Sequence, residues 1–330
     1  MRILTYSEAI NEALHQIMEY RPDVYLIGGG ITSPWYVGDT TKGLKEKFPN
    51  RVIDTPTSEN CITGVALGSS LIGKHPIINF PRMDFMYYAF DQMANHIANW
   101  SHMFGDQFKT PITLWCCINR GEEQSCQHSQ AIYSMLCHLP NFKVVAPSNP
   151  CDAKGLLIEC VEQESPTIFI DDRWLYQMKE DVPKEKYTCC LDCSALIPNY
   201  GYEDYEPDIT VVTSSYLVNE CIKAFDKFKN KKIHIDVIDL VSLKPLDIDG
   251  IMESVNTTKK LLVVDGSWSF CGLSAEIVAQ VAERDNSIKM KRLTLPDYPA
   301  PASSILENEY YPKTLNIVKA IKELTKCKFK

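Results

Sequence analysis

Short, uninterrupted apolar runs alternate along most of this chain with segments whose apolar positions recur every three or four residues. Runs of the first kind are strands buried on both faces, as in a parallel sheet, and the second pattern is that of the helices that cover such a sheet. In the first half the pattern predicts strands at Val24 to Ile27, Ile77 to Phe80, Ile112 to Ile118, Lys143 to Val145 and Thr167 to Ile170. The helices between them are expected at Ser7 to Glu19, Glu59 to Ile72, Phe85 to Phe104, Gln130 to His138 and Asp152 to Gln163. The second half repeats the scheme, with strands at Ile209 to Thr213, Ile233 to Ile238, Leu261 to Val264 and Met290 to Thr294, and helices at Tyr216 to Lys229, Asp247 to Val255, Leu273 to Glu283 and Leu315 to Leu324. Between the halves, Trp174 to Pro207 is rich in Tyr, Pro, Asp and Glu and lacks helical periodicity, so a linker with room for short strands is expected there. The fold class that follows is α/β, with two doubly wound domains at residues 1–180 and 208–330 and the linker at 181–207.

A length of 330 residues suits two domains, each with its own core. The net charge of −8 comes with no basic stripe, which argues against a nucleic-acid partner. No apolar run reaches the roughly 18 residues of a membrane span. The first residues, Met1-Arg-Ile-Leu-Thr, lead straight into a helical pattern, so a cytoplasmic protein is expected. The thirteen cysteines are therefore expected as reduced thiols. Cys190 and Cys193 form one Cys-x-x-Cys, but no second ligand pair follows at zinc-site spacing. Cys116-Cys117 lies inside an apolar strand, where packing is the expected role.

Candidate chemistry begins at Asp54-Thr-Pro-Thr-Ser-Glu59, which runs into the small-residue stretch Thr63-Gly-Val-Ala-Leu-Gly-Ser-Ser70. Glu59 stands at a helix entrance with little bulk around it, where a buried carboxylate would need a specific partner. An acid in a first helical turn is also favoured by the dipole alone. Three further segments weigh against that simpler explanation: Met83-Asp-Phe85 leading into Phe90-Asp-Gln92, the tetrad Gln127-His-Ser-Gln130, and Val144-Val-Ala-Pro147 followed by Asp152-Ala-Lys-Gly-Leu-Leu157. Gly64, Ala66 and Gly68 leave part of the Glu59 helix bare, open to close approach by another helix, and Asp91, Asn95 and Asn99 share one face of the predicted Phe85 helix.

In this order and spacing the segments resemble the β subunit of the thiamine-diphosphate-dependent 2-oxo acid dehydrogenases of the pyruvate and branched-chain type, from Leu4 to Lys319. The resemblance implies a transketolase-like pyrimidine-binding domain followed by a transketolase C-terminal-like domain. It also implies that Glu59 hydrogen-bonds the aminopyrimidine ring and sets its tautomer. His128 would stand beside the thiazolium, and Phe85, with Tyr88 one turn later, would lie against the pyrimidine. The family's Gly-Asp-Gly diphosphate motif is missing, since Asp265-Gly266 lacks the preceding glycine. Magnesium is therefore expected on an α-type partner and not on this chain, in an α2β2 heterotetramer with a lipoyl acyltransferase as acceptor. A potassium ion on backbone carbonyls of Ile112, Cys160 and Gln163 is a further family expectation.

The chain departs from the family at Gly28-Gly29-Gly30, where relatives carry acids, at Asn79, at Arg82, and in Asn119-Arg-Gly-Glu-Glu-Gln124. Gly28-Gly29-Gly30 opens no helix and does not read as a nucleotide loop. The charge changes keep open a transketolase-like or carboligating transfer of a two-carbon unit to an aldehyde or modified sugar. A non-catalytic subunit that keeps only fold and interface is disfavoured by the presence of both Glu59 and His128.

Overall fold

A computed structural model of the chain describes residues 2–197, 206–228 and 233–326. Its strands are β1 (Ile3–Thr5), β2 (Val24–Gly29), β3 (Val52–Thr55), β4 (His75–Phe80), β5 (Thr113–Ile118), β6 (Lys143–Val145), β7 (Thr167–Asp172), β8 (Lys179–Asp181), β9 (Ala195–Ile197), β10 (Ile209–Thr213), β11 (Ile235–Asp239), β12 (Ser242–Lys244), β13 (Lys260–Trp268) and β14 (Lys289–Leu295). A seven-stranded sheet runs β12-β6-β7-β5-β4-β2-β3, parallel except for β12, and a five-stranded sheet runs β14-β13-β10-β11-β9, parallel except for β9. Every residue of β4, β5, β7, β10 and β11 is buried, as continuous apolar runs require.

In the first sheet the chain leaves β2 toward β3 on one side and leaves β4 toward β5 on the other. The adjacent pair β2 and β4 is thus a switch point, where the outgoing segments diverge and a crevice opens beyond the carboxyl ends of the strands. The first helix, Tyr6–Tyr20, is fixed by a reciprocal cap: the Thr5 hydroxyl accepts from the Glu8 N–H, and the Glu8 carboxylate accepts from the Thr5 N–H.

Several segments differ from the sequence pattern. The expected linker is used to finish sheets: β8 pairs antiparallel with β1, and β9 edges the second sheet. Residues 198–205 of that linker and Lys229, the expected end of the Tyr216 helix, lie outside the described residues. β12, from the second half, crosses back to the edge of the first sheet, so the two halves share a sheet. The single helix expected from Phe85 to Phe104 is instead a 3-10 helix at Met83–Ala89, a π-helix at Gln92–Ile97 and a short α-helix at Trp100–Met103. Asn95 still donates to Asp91 at 2.7 Å, but Asn99 turns back onto the Ala94 carbonyl. Cys190 and Cys193 are joined in a disulfide, against the expectation of thirteen free thiols; their Cα atoms stand 5.8 Å apart, inside the range such a bridge needs. Among the described residues no helix is long and apolar enough to cross a membrane.

The two sheets meet at Arg120, whose side chain is fully buried. Its Nε donates to Asp172 at 2.9 Å, its Nη1 donates to the Gly266 carbonyl at 2.9 Å, and its plane lies 4.7 Å from the Tyr216 ring centre. Tyr133 donates to Asp265, and Ser267 donates to the Ala131 carbonyl, across the same junction.

Candidate active site

A cleft of about 330 Å³ occupies the switch point, lined by Gly29 and Gly30 from the end of β2, by Asn79 and Phe80 from the end of β4, and by Glu59, Arg82, Phe85 and His128. β2 and β4 approach so closely there that a Cβ on Gly28 would stand 2.6 Å from the Asn79 carbonyl oxygen. Gly30 has φ +68°, and a Cβ on it would strike the Tyr36 ring. Two of the three glycines thus serve the backbone, whereas a Cβ on Gly29 would meet only the Thr55 carbonyl at an ordinary 3.6 Å. A side chain fits at Gly29, and its absence widens the cleft. The loop that follows is pinned by Asp54, whose carboxylate accepts from the Gly30 N–H and the Thr32 hydroxyl, each at 2.8 Å.

Glu59 opens the helix Glu59–Ser70. The buried acid expected from the sequence is only partly buried, because Pro56, Thr57 and Ser58 before it are exposed and no other described residue encloses it. Its carboxylate makes no hydrogen bond or ion pair with any described residue, although it lies at the cleft. The bare flank of this helix is approached at Gly64 by the Gln92 side chain, whereas Gly68 faces open space.

Phe85 and His128 come together edge to face, with ring centres 5.7 Å apart. Tyr88 does not line the cleft; it projects one turn beyond Phe85 and is 70% exposed. The His128 segment is held from below by Asp84, whose Oδ1 accepts from the Gln130 N–H at 3.3 Å, and by the Ile132 N–H resting on the Met83 sulfur. Upstream, Gly121, Glu122, Glu123 and Ser125 all take positive φ, and Glu123 ties the loop to the second domain through the Ser304 N–H and the Glu307 carboxylate. Burial, and then the nearby Arg82 charge, push His128 below its usual value, which keeps it neutral at pH 7. Burial lifts Asp84 to about 6.

The Ile112 and Cys160 carbonyls lie at the opposite, amino-terminal side of the sheet. The first accepts from the Thr167 N–H and the second from the Thr113 and Thr167 hydroxyls, while the Gln163 side chain turns to Glu159. Among the described residues no group of three or more His, Cys, Asp or Glu is arranged to hold a metal. A larger cleft of about 620 Å³ lies at the domain junction between Trp174, Tyr216 and Lys313. It contains none of the expected site residues, and its Glu220 is occupied by Lys223 and Thr314. Sequence reasoning missed Asp84 as a support and Arg120 as a junction; the only signal for either was a charged residue inside an apolar setting.

A crevice at a switch point, an unsatisfied acid at a helix start and a second α/β sheet behind them define a two-domain protein of the transketolase type. Family models agree: the transketolase pyrimidine-binding domain matches residues 3–179 and the transketolase C-terminal domain matches residues 202–317. The chain is 35% identical to the acetoin:2,6-dichlorophenolindophenol oxidoreductase subunit beta of Bacillus subtilis, covering 98% of this chain and 97% of that one. It is 32% identical to the pyruvate dehydrogenase E1 component subunit beta of Rickettsia conorii, covering 97% and 98%. In fold it is similar to a split-gene transketolase solved as an inactive β4 tetramer, with TM-score 0.80 and 19% identity over 99% of both chains. The chain belongs to the transketolase-like family of dehydrogenase β subunits that includes those of pyruvate dehydrogenase.

Proposed function

We propose that this chain is the β-type subunit of a heteromeric thiamine-diphosphate enzyme that decarboxylates a 2-oxo acid and passes on the acyl group, and that its cleft takes the aminopyrimidine half of the coenzyme. The observation that carries this reading is the Glu59 carboxylate, without a partner among the described residues at a cleft shared with Phe85 and His128. The residues present fit the group. Glu59 offers an acceptor for a ring N–H, the buried and unpaired Asn79 Oδ1 offers another for an amino group, and Phe85, Ile62 and Ile78 supply apolar contact.

Bound there, thiamine diphosphate supplies a carbon nucleophile and a ring that takes up the electron pair left as carbon dioxide departs. Glu59 holds the ring-nitrogen proton and thereby the tautomer. His128, kept neutral, is able to accept or donate a proton at the substrate. Tyr88 joins this set only where assembly covers it. Asp265 accepts from the Tyr133 hydroxyl and from the Ser267 and Ser274 N–H groups, so its oxygens are already in use. This supports assigning magnesium and the diphosphate to an α-type partner; the cytoplasmic α2β2 assembly and the lipoyl acyltransferase acceptor belong to the proposal through the β-subunit relatives alone.

The test is co-expression with an α-type partner subunit, followed by thiamine diphosphate, magnesium and a panel of 2-oxo acids, reading carbon dioxide release and dye reduction. Turnover is expected from the pair and none from this chain alone; turnover by the isolated chain would end the divided-site reading. A second reading, two-carbon transfer to an aldehyde, is favoured by the unpaired Arg82. Reaction of a sugar donor with an aldehyde, and of no 2-oxo acid, would select it.

A further inference from the structure

Among the described residues, the cations Arg120 and Lys154 are buried against carboxylates, whereas Arg82, buried at the cleft, is not. Arg120 is paired with Asp172, and Lys154 with Glu12. Arg82 lines the cleft and is 5% exposed, yet it makes no ion pair with any described residue. Its Nη1 donates to the Pro81 carbonyl at 2.7 Å and to the Tyr36 carbonyl at 3.3 Å. Behind it, Arg173 donates to the same Tyr36 carbonyl at 2.8 Å, lies over the Tyr176 ring and likewise has no ion-pair partner among the described residues. The Nε of each guanidinium is buried without an acceptor, and Asn79, 4% exposed on the same wall, has its Oδ1 buried without a donor. Two positive charges meeting on one carbonyl oxygen, with donors to spare, call for an anion from outside the chain.

We propose that Arg82, with Asn79 beside it and Arg173 behind it, binds an oxyanion group of the substrate that stays in place through the reaction, so that the natural substrate carries a phosphate or carboxylate in addition to the group that reacts. The placement of the reacting end rests on the function proposed above; the anion site does not. A guanidinium bound to the carboxylate that departs as carbon dioxide would stabilise the ground state and lose that interaction as the charge disappears, which opposes the reaction. An anion held by Arg82 is therefore best placed on the far end of the substrate. Gly29 leaves room on the neighbouring strand end for that extra length.

Two measurements test this. Trp35 lines the cleft, so its fluorescence on the full-length chain reports titration with inorganic phosphate, malonate and acetate. Phosphate or malonate is expected to bind at least tenfold more tightly than acetate. Arg82→Met should weaken that binding at least tenfold and Arg82→Lys less, and Asn79→Asp, which supplies an internal counter-charge, should abolish it with the fold intact by circular dichroism. Preference for phosphate over malonate assigns a phosphorylated substrate, and the reverse a dicarboxylate. Equal binding to wild type and Arg82→Met, or acetate binding as tightly as either dianion, would overturn the proposal. In the assembled enzyme, 2-oxoglutarate or a phosphorylated 2-oxo acid should show a lower KM than 2-oxobutyrate, and Arg82→Met should raise that KM with kcat nearly unchanged. If the anion titration succeeds while no 2-oxo acid is turned over, the function proposed above fails and the anion site stands.

Discussion

Replacing Arg120 with Met is expected to cost this protein roughly 4 kcal/mol, most of it through the acid left behind. The guanidinium gives Asp172 a hydrogen bond at 2.9 Å and Gly266 another, with the two side chains 1% and 0% exposed. Breaking a buried pair by removing one partner costs about 3–5 kcal/mol because the other charge stays buried. The stranded Gly266 carbonyl adds to this, and the bond Asp172 keeps from the Trp174 N–H at 3.0 Å offsets part of it. Met is similar in length and apolar, so little cavity is left between Tyr216 and Tyr311.

Urea unfolding followed by circular dichroism at pH 8 and pH 5 measures the effect. Burial already pushes the Asp172 carboxyl up, and Arg120 pulls it back down. In the variant the upward push is opposed only by the Trp174 N–H, which donates to this carboxylate, and by the nearby Ser215 hydroxyl, so over the range between the two values the native state holds a proton that the unfolded state has released. The destabilisation is therefore full above the raised folded value and shrinks as pH falls through it. The double variant Arg120→Met/Asp172→Asn should recover more than half of the loss. A single-variant loss below about 1 kcal/mol, equal losses at both pH values, or no recovery in the double variant would refute the reasoning.

Glu59→Gln should lower kcat of the assembled enzyme by ~10²–10⁴ while shifting stability by less than about 0.5 kcal/mol, because the carboxylate has no partner among the described residues; steady-state kinetics and a thermal melt of the same sample check both halves. Gly28→Ala should destabilise by about 1–3 kcal/mol by forcing β2 from β4, whereas Gly29→Ala is tolerated, and paired urea titrations distinguish the two. Burial holds His75 down at about 4, so its contribution is present above pH 6.5 and is lost as pH falls toward 4. That is roughly 3 kcal/mol, and His75→Gln should flatten this acid limb in stability measured between pH 7 and 4. Asp84, lifted to about 6, acts in the opposite sense: stability falls as pH rises from about 4 to 6, and Asp84→Asn should remove that slope while keeping the acceptor for the Gln130 N–H.

What the sequence revealed depended on whether a property is local. Strands buried on both faces, such as β5 and β10, declare themselves as unbroken apolar runs, and the paired α/β halves follow. β3 has two apolar residues and an exposed Ile53, so nothing marks it as a strand until β2 pairs with it. The stretch after Met83 carries helical spacing throughout, but spacing does not distinguish i+3, i+4 and i+5 hydrogen bonding, and the chain uses all three in turn. Glu59, Phe85 and His128 were legible because each sits in a recognisable short segment. The pairing of Arg120 with Asp172, 52 residues apart, and the lack of a carboxylate for Arg82 among the described residues were not, since what a charge meets is decided only by the fold.

Two acids, Asp265 and Glu59, differ in a way that bears on the proposed division of the site between subunits. Asp265 stands at the junction of the domains with both oxygens committed, to Tyr133 and Ser267 on one side and Ser274 on the other. Offering those oxygens to a metal would strand three buried donors and loosen the contact that carries the His128 segment. Glu59 is the converse case: its helix start favours a negative charge, and among the described residues nothing engages its oxygens or covers them from water. An acid of the first kind is finished by folding, and one of the second kind by assembly. On the proposed function, the donor to Glu59 arrives with the coenzyme and the ligands for its metal arrive with the partner, which makes coenzyme binding and subunit association mutually reinforcing.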